Sequence, residues 1–399
     1  MKLFVGIIVG VDSSTPEAPR NGSREAGSEG VRLRDAIRAR ALELGFSACG
    51  FTGAEDLDCG PLLGKWIAEN RHGLMDYMER DIERRTSPRR FMAAAASVIV
   101  VAWKYRGIGA APDPDWRERL TGRVAAYALG EDYHLHLAEK LERLAAFVRY
   151  CGSRATQVHV DGGPLVERHL ARRAGLGWYG YNTMLLHPDF GSTSLLGCLL
   201  TDLPIPADTE PVADRCGTCR SCVSACPTGA LDRGPTIDAR SCVSYLTIEL
   251  RGPIPSELRS RIGNWVFGCD DCQDVCPWND VESPPVTPAA ARPSLVGLLS
   301  MGEDEFHATY SGTALARPKR RGLARNAAVA LGNSANQAAV APLERALAEH
   351  DEPLVRTHAA WALGELGGEQ AARSLLRAET HDPTPPVRRA AGAALARTR

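Results

Sequence analysis

The run "CGTCRSCVSACPTGAL", residues 216–231, places four cysteines at C-x2-C-x2-C-x3-C with a proline directly after the last. Thiols this dense must wrap around something, which limits the local fold more than any other feature of the chain. Disulfides are the weakest explanation, because 399 residues with 44% hydrophobic content can bury a full core without covalent staples. Paired CxxC units would suit zinc. The spacing found here is instead that of bacterial ferredoxins, in which three cysteines hold one 4Fe-4S cube and the fourth, before proline, reaches a second cube. That arrangement demands another cysteine-proline group elsewhere.

"GCDDCQDVCPWND" supplies it, with Cys269, Cys272 and Cys276 followed by Pro277. This run lacks a middle cysteine, and Cys242 in "RSCVSYL" is the natural replacement. The expected ligands are then Cys216, Cys219, Cys222 and the crossing Cys276 for one cluster, and Cys226, Cys242, Cys269 and Cys272 for the other. Structural zinc becomes the lesser reading. Cys49, Cys59, Cys151 and Cys198 remain as isolated thiols, which usually behave as small buried hydrophobes.

Clusters move single electrons and have no substrate pocket, so the rest of the chain must receive them. Residues 1–30 combine an apolar start, Leu3–Val11, with a stretch rich in Ser, Pro, Gly and charge. We read them as a disordered extension without a cleavable export signal. From Val31 to Pro206, "ASVIVVAWKY", "RVAAYAL" and "QVHVDGG" read as buried strands alternating with helices such as "HLHLAEKLERLAAFVRYCG", which predicts an α/β domain. Residues 207–283 form the ferredoxin-type cluster domain. Residues 284–399 begin with a Pro-rich linker and continue as "LARNAAVALG", "VRTHAAWALG" and "VRRAAGAALA", with Arg325, Arg356 and Arg388 spaced by 31 and then 32 residues. That period predicts an all-α tail of HEAT-like helix pairs. No run is long enough to span a membrane, and a cytoplasmic protein is expected.

The formal net charge of −1 excludes nothing. Locally, Arg317, Lys319, Arg320, Arg321 and Arg325 crowd the mouth of the repeats, where they read either as a solvated face or as a grip on nucleic-acid phosphates. No Walker loop, GxSxG elbow, HExxH or convincing dinucleotide fingerprint occurs. "RAGLGWYGYNTMLL", residues 173–186, has Gly175, Gly177 and Gly180 where backbone could approach a flat or anionic ligand. Asp161, before the Gly-Gly-Pro of "HVDGGPLVER", reads as a helix cap or as a proton donor at a redox pocket.

Taken together, "DGGPLVER", "RAGLGWYGYNT", both cysteine runs and "YLTIELRGPIP" resemble epoxyqueuosine reductases, the cobalamin-dependent enzymes that complete queuosine in transfer RNA. The resemblance runs from about residue 31 into the repeat tail. It implies a base-off cobalamin in the α/β domain, two 4Fe-4S clusters, an external low-potential electron donor, and a modified base in the tRNA anticodon loop as substrate. Asp161 aligns with the family's proton donor, which burial would keep protonated. For cobalamin the resemblance implies Asp161, Arg168, Tyr181, Asn182, Thr183, Leu185 and Leu196, with Arg85 and Ala125 as further contacts. Arg168 is expected to meet a phosphate or propionamide of the corrinoid, against the alternative of a surface ion pair. Tyr181 stands where the family usually has lysine, so only backbone contacts are expected to persist there. His134 and His136 are expected to be structural, since the family's cobalt carries no histidine. A monomer is expected. Two other classes compete. A reductive dehalogenase would not need the repeat tail and is usually exported behind a twin-arginine signal, while an electron-carrier subunit leaves the α/β domain without purpose.

Overall fold

The structure, a computed structural model, describes residues 24–105, 113–208, 212–231, 236–279 and 289–398. Most of the expected disordered extension, residues 1–23, lies outside these, as do residues 280–288 of the Pro-rich exit. The first described helix, Arg24–Glu43, begins seven residues before the expected start of order at Val31. Strands among the described residues are β1 (Ala48–Gly53), β2 (Ser97–Lys104), β3 (Arg123–Val124), β4 (Thr156–His159), β5 (Trp178–Tyr179), β6 (Leu185–Leu186), β7 (Ser194–Thr201) and β8 (Trp265–Phe267). The chain divides into two compact units. One takes in the described residues of Met1–Arg106, Tyr133–Ala239 and Asp271–Glu282, the other those of Gly107–Asp132, Arg240–Asp270 and Ser283–Arg399.

In the first unit β1, β2, β7 and β4 form a sheet in that order, and every pairing is antiparallel. Helices cover both faces, which is why β2 reads as the unbroken run Val98–Val101 rather than as an alternation. On one face Val98, Val100, Cys198 and Leu200 share a core with Leu170 and Ala171 of the helix Glu167–Arg173. On the other, Leu137 and Leu141 of the helix Tyr133–Tyr150 approach Gly197 so closely that a Cβ there would sit 2.6 Å from Leu141 Cδ1. Fully burying each such aliphatic side chain contributes about 1.5–3 kcal/mol. β5 and β6 form a separate hairpin with Trp178 opposite Leu186 and Tyr179 opposite Leu185.

The second unit corrects one expectation. "RVAAYAL" supplies only the two-residue β3, paired in parallel with β8, and then turns into a 3-10 helix at Ala126–Ala128. Its small alanines provide too little branched surface to hold an extended strand. The tail is helical throughout, with Lys319–Asn333, Val340–Glu349, Pro353–Leu366, Glu369–His381 and Pro385–Thr398 in succession. Small residues mark the repeat contacts, since a Cβ on Gly332 would meet Ala362 and one on Gly364 would meet Ala394. No helix among the described residues is long and apolar enough to cross a membrane.

Candidate active site and cluster pocket

Just past the end of β4 the chain turns sharply at Asp161, which is buried at 2% exposure and has φ 43°, a left-handed conformation costly for a residue with a side chain. The N–H of Gly162 donates to the carbonyl of Val160, closing a three-residue turn around Asp161. The turn is also held from outside, because the Asp161 N–H donates to Glu167 Oε1 at 2.7 Å. The Tyr133 hydroxyl donates to Asp161 Oδ2, and His134 Nε2 lies 3.6 Å from the same oxygen. The Tyr133 and His134 rings stack with centroids 4.1 Å apart.

This geometry removes the helix-cap reading. The following helix has Val166 at its N-cap and no side-chain cap, while the Asp161 carboxylate faces Tyr133 and His134. Burial pushes the Asp161 carboxyl toward its protonated form, while the hydrogen bonds from His134 and Tyr133 favour the carboxylate. His134, which the sequence assigns a structural role, is instead a neighbour of the acid. The signal was the adjacent Tyr-His pair in "GEDYHLHL".

One pocket is lined by Asp161 together with Arg168, Leu185 and Leu196, four of the expected cofactor residues, and also by Tyr133 and Ser194. Arg168 is no surface residue. It is 6% exposed and donates to the Thr183 carbonyl at 3.0 Å. Thr183 has φ 64°, an outlier for a β-branched residue, and its N–H donates to Gly180, so Arg168 helps hold a strained turn between β5 and β6. Within that turn Asn182 Oδ1 accepts from the Met184 N–H at 3.1 Å, whereas its buried Nδ2 has no hydrogen-bond partner. A buried orphan donor costs about 1–3 kcal/mol, so a group that accepts from it would fit here. Gly177 and Gly180 are required by the hairpin itself, since a Cβ on Gly177 would lie 2.1 Å from the Leu186 carbonyl oxygen and one on Gly180 2.7 Å from Leu186 Cδ1.

Arg85 and Ala125, also expected contacts, are not among the residues lining this pocket. Arg85 donates to the carbonyls of Tyr77 and Arg80, with its Nη1 buried and without a partner. Ala125 belongs to the second unit, where its N–H donates to Phe267.

A second pocket is lined by the thiols of Cys216, Cys219, Cys222 and Cys276 together with Tyr181 and Asn182. Burial, and then the nearby Cys276, push the Cys222 thiol up to about 11. Four thiols around one space suit a polynuclear cluster, whose positive charge would favour their deprotonated form. Of the other cysteines, Cys226 accepts the Ala230 N–H at 3.3 Å in the first unit, and Cys242 stands at the N-cap of the helix Val243–Ile248 in the second.

The basic cluster at the mouth of the repeats divides in two. Arg325 is 0% exposed and donates to the carbonyls of Leu246, Leu250 and Gly252, so it is a structural tie and cannot reach a phosphate. Arg320, 8% exposed, is held by Glu303 at 2.6 Å and Asp351 at 2.5 Å. Arg317 pairs with Glu249 at 2.8 Å. Lys319 and Arg321 are exposed. The reason lies in the repeat itself, where the periodic arginines point inward: Arg356 pairs with Asp382 at 2.9 Å, and Arg388 donates to the Asp382 carbonyl at 2.7 Å.

A sheet unit with a buried acid, a four-thiol pocket and a helical-repeat tail define an iron-sulfur oxidoreductase. Family descriptions agree segment by segment. Epoxyqueuosine reductase QueG, DUF1730, matches residues 85–162, a 4Fe-4S double cluster binding domain matches 215–279, and HEAT repeats match 313–396. Epoxyqueuosine reductase of Escherichia coli strain K12 is 39% identical over 343 residues, covering 84% of this chain and 89% of that one. An epoxyqueuosine reductase solved with an epoxyqueuosine-modified tRNA-Tyr stem loop superposes with a TM-score of 0.85 at 30% identity, covering 92% of this chain and 99% of that one. The Bacillus subtilis enzyme, solved with its catalytic aspartate loop swung out of the active site, gives a TM-score of 0.84 at 29% identity over 93% of this chain and all of that one. The chain belongs to the epoxyqueuosine reductase family.

Proposed function

We propose that this chain reduces epoxyqueuosine to queuosine in a tRNA anticodon loop, using a base-off cobalamin and two 4Fe-4S clusters, with Asp161 as proton donor. One observation carries the reading: the β5–β6 hairpin serves both pockets. Tyr181 and Asn182 in its turn line the thiol pocket, Leu185 lines the Asp161 pocket, and Thr183 between them is tied down by Arg168. The relative bound to an epoxyqueuosine-bearing stem loop supports the substrate, and the relative with a catalytic aspartate loop supports the acid.

When bound, cobalamin supplies strongly reducing cobalt chemistry at an electrophilic carbon, and the clusters supply its electrons. Arg168, Asn182, Thr183, Leu185 and Leu196 are proposed to hold it, with backbone contacts from Tyr181. Arg85 and Ala125 are lesser candidates. Cys216, Cys219, Cys222 and Cys276 are proposed ligands of the first cluster, and Cys226, Cys242, Cys269 and Cys272 of the second on sequence spacing. Removing the epoxide oxygen as water consumes two electrons and two protons. Asp161 is proposed to deliver a proton, and His134, whose side chain is 32% exposed, to relay replacements from solvent. An external low-potential reductant, a monomeric chain and a cytoplasmic setting belong to the same reading.

Lys319 and Arg321 are the proposed phosphate contacts. Reversing both to glutamate should weaken tRNA binding and flatten the dependence of log K on log salt by roughly two phosphates' worth, about 1.5 in slope. Turnover at saturating tRNA should change little. Unchanged affinity and slope would return both residues to a solvated face. The reading as a whole is tested by anaerobic reconstitution with iron, sulfide and cobalamin, a low-potential reductant, and nucleoside analysis of tRNA carrying epoxyqueuosine. Queuosine should appear only with both cofactors loaded. Unchanged epoxyqueuosine under full loading would refute it.

A further inference from the structure

Trp178 does something that the ligand reading does not require. Its indole is 1% exposed, and Nε1–H points at Cys216 Sγ across 3.4 Å. The ring is fixed in that aim from several sides. Its own strand pairs Trp178 with Leu186, and Trp278 packs edge-on with ring centroids 4.9 Å apart and planes at 82°. The Arg215 guanidinium lies 5.8 Å from both ring centroids. Glycine at 177 lets this strand lie against its partner, so the same hairpin that lines both pockets also delivers the indole.

Reduction adds an electron to a cluster, and part of that charge falls on its sulfurs. A donor hydrogen bond to sulfur therefore stabilises the reduced form more than the oxidised one and raises the potential. Because the indole itself is buried, the effect is larger than it would be from a donor at a wet surface. A backbone donor would come with the fold whatever the side chain. The Trp178 donor depends on the residue's identity, so a substitution can remove it.

We propose that Trp178 tunes the first cluster, its indole N–H raising that cluster's potential through Cys216 while Trp278 and Arg215 hold the ring in position. This rests on the reading that Cys216 is a cluster ligand. The experiment uses the anaerobic holoenzyme with both clusters, about eight irons per chain, and follows each cluster by electron paramagnetic resonance during a redox titration. Trp178→Phe keeps an aromatic ring and loses the N–H. The midpoint of one cluster should shift downward and that of the other should stay. Trp278→Phe keeps an aromatic ring packed against Trp178, so the hydrogen bond persists, and it should leave both midpoints in place.

An unmoved midpoint in iron-replete Trp178→Phe overturns the proposal. So does an equal shift in both variants, which would trace the effect to packing or water access. If Trp178→Phe fails to load iron, the unmutated protein decides. With its tryptophans labelled with 15N on the indole nitrogen, pulsed spectra of the reduced cluster should show one weak nitrogen coupling, and its absence refutes the contact. Failure of the underlying ligand reading looks different: Cys216→Ser would then leave both cluster signals unchanged.

Discussion

Asp161→Asn should fold, hold its clusters and corrinoid, and make almost no product. Asparagine is among the residues that best tolerate the left-handed conformation found at position 161. Its amide oxygen can still accept from Tyr133, and its backbone N–H can still donate to Glu167. What it cannot do is release an acidic proton. Loss of a positioned general acid typically costs about 10²–10⁴-fold, and single-turnover product formation should fall by that factor. Iron content, cobalamin content and product must be measured on one preparation. Near-normal product from a fully loaded variant would remove Asp161 from the chemistry. Loss of cobalamin with intact clusters would make it a corrinoid-positioning residue instead.

The second large effect concerns Cys276. In sequence it follows Cys269 and Cys272, yet its thiol lines the same pocket as Cys216, Cys219 and Cys222. Cys276→Ser should therefore remove the first cluster and spare the other, with iron falling from about eight to about four per chain. A serine hydroxyl is far harder to deprotonate than a thiol and makes a poor replacement. Iron analysis with electron paramagnetic resonance would separate the outcomes. Loss confined to the second cluster's signal would mean that the two cysteine sets are exchanged.

Features that were legible in the sequence are those fixed by neighbours along the chain. Cysteine spacing encodes loop geometry, the alanine- and leucine-rich period encodes stacked helices, and β2 announces itself by an unbroken apolar run. Features set by distant partners were harder to read. β7 lies inside the sheet, but "SLLGCLLT" is short, interrupted by Gly197, and uninformative about whether it is helix or strand. The partnership of Tyr133 and His134 with Asp161 spans about 27 residues and exists only once the helix packs on the sheet. Arg325 misled for the same reason. A run of basic residues predicts a wet face, but its partners are carbonyls at Leu246, Leu250 and Gly252, more than 70 positions earlier.

The first unit is built from three separate stretches of chain, and its last, Asp271–Glu282, brings Cys276, Trp278 and Asn279. Asn279 Oδ1 accepts from the Ser192 N–H at 2.6 Å, and its Nδ2 donates to the Ser192 hydroxyl at 3.1 Å, so this stretch locks onto residues made much earlier. Synthesis runs from the N-terminus at about 5–20 residues per second, and domains fold as units once their parts are available. A nascent chain thus displays Cys216, Cys219 and Cys222 for several seconds before the fourth thiol emerges from the ribosome. During that interval the three thiols are open to oxidation or to stray metal. Cluster insertion into this pocket must be a late, post-emergence event, and a chain released before residue 276 would carry an incomplete metal trap.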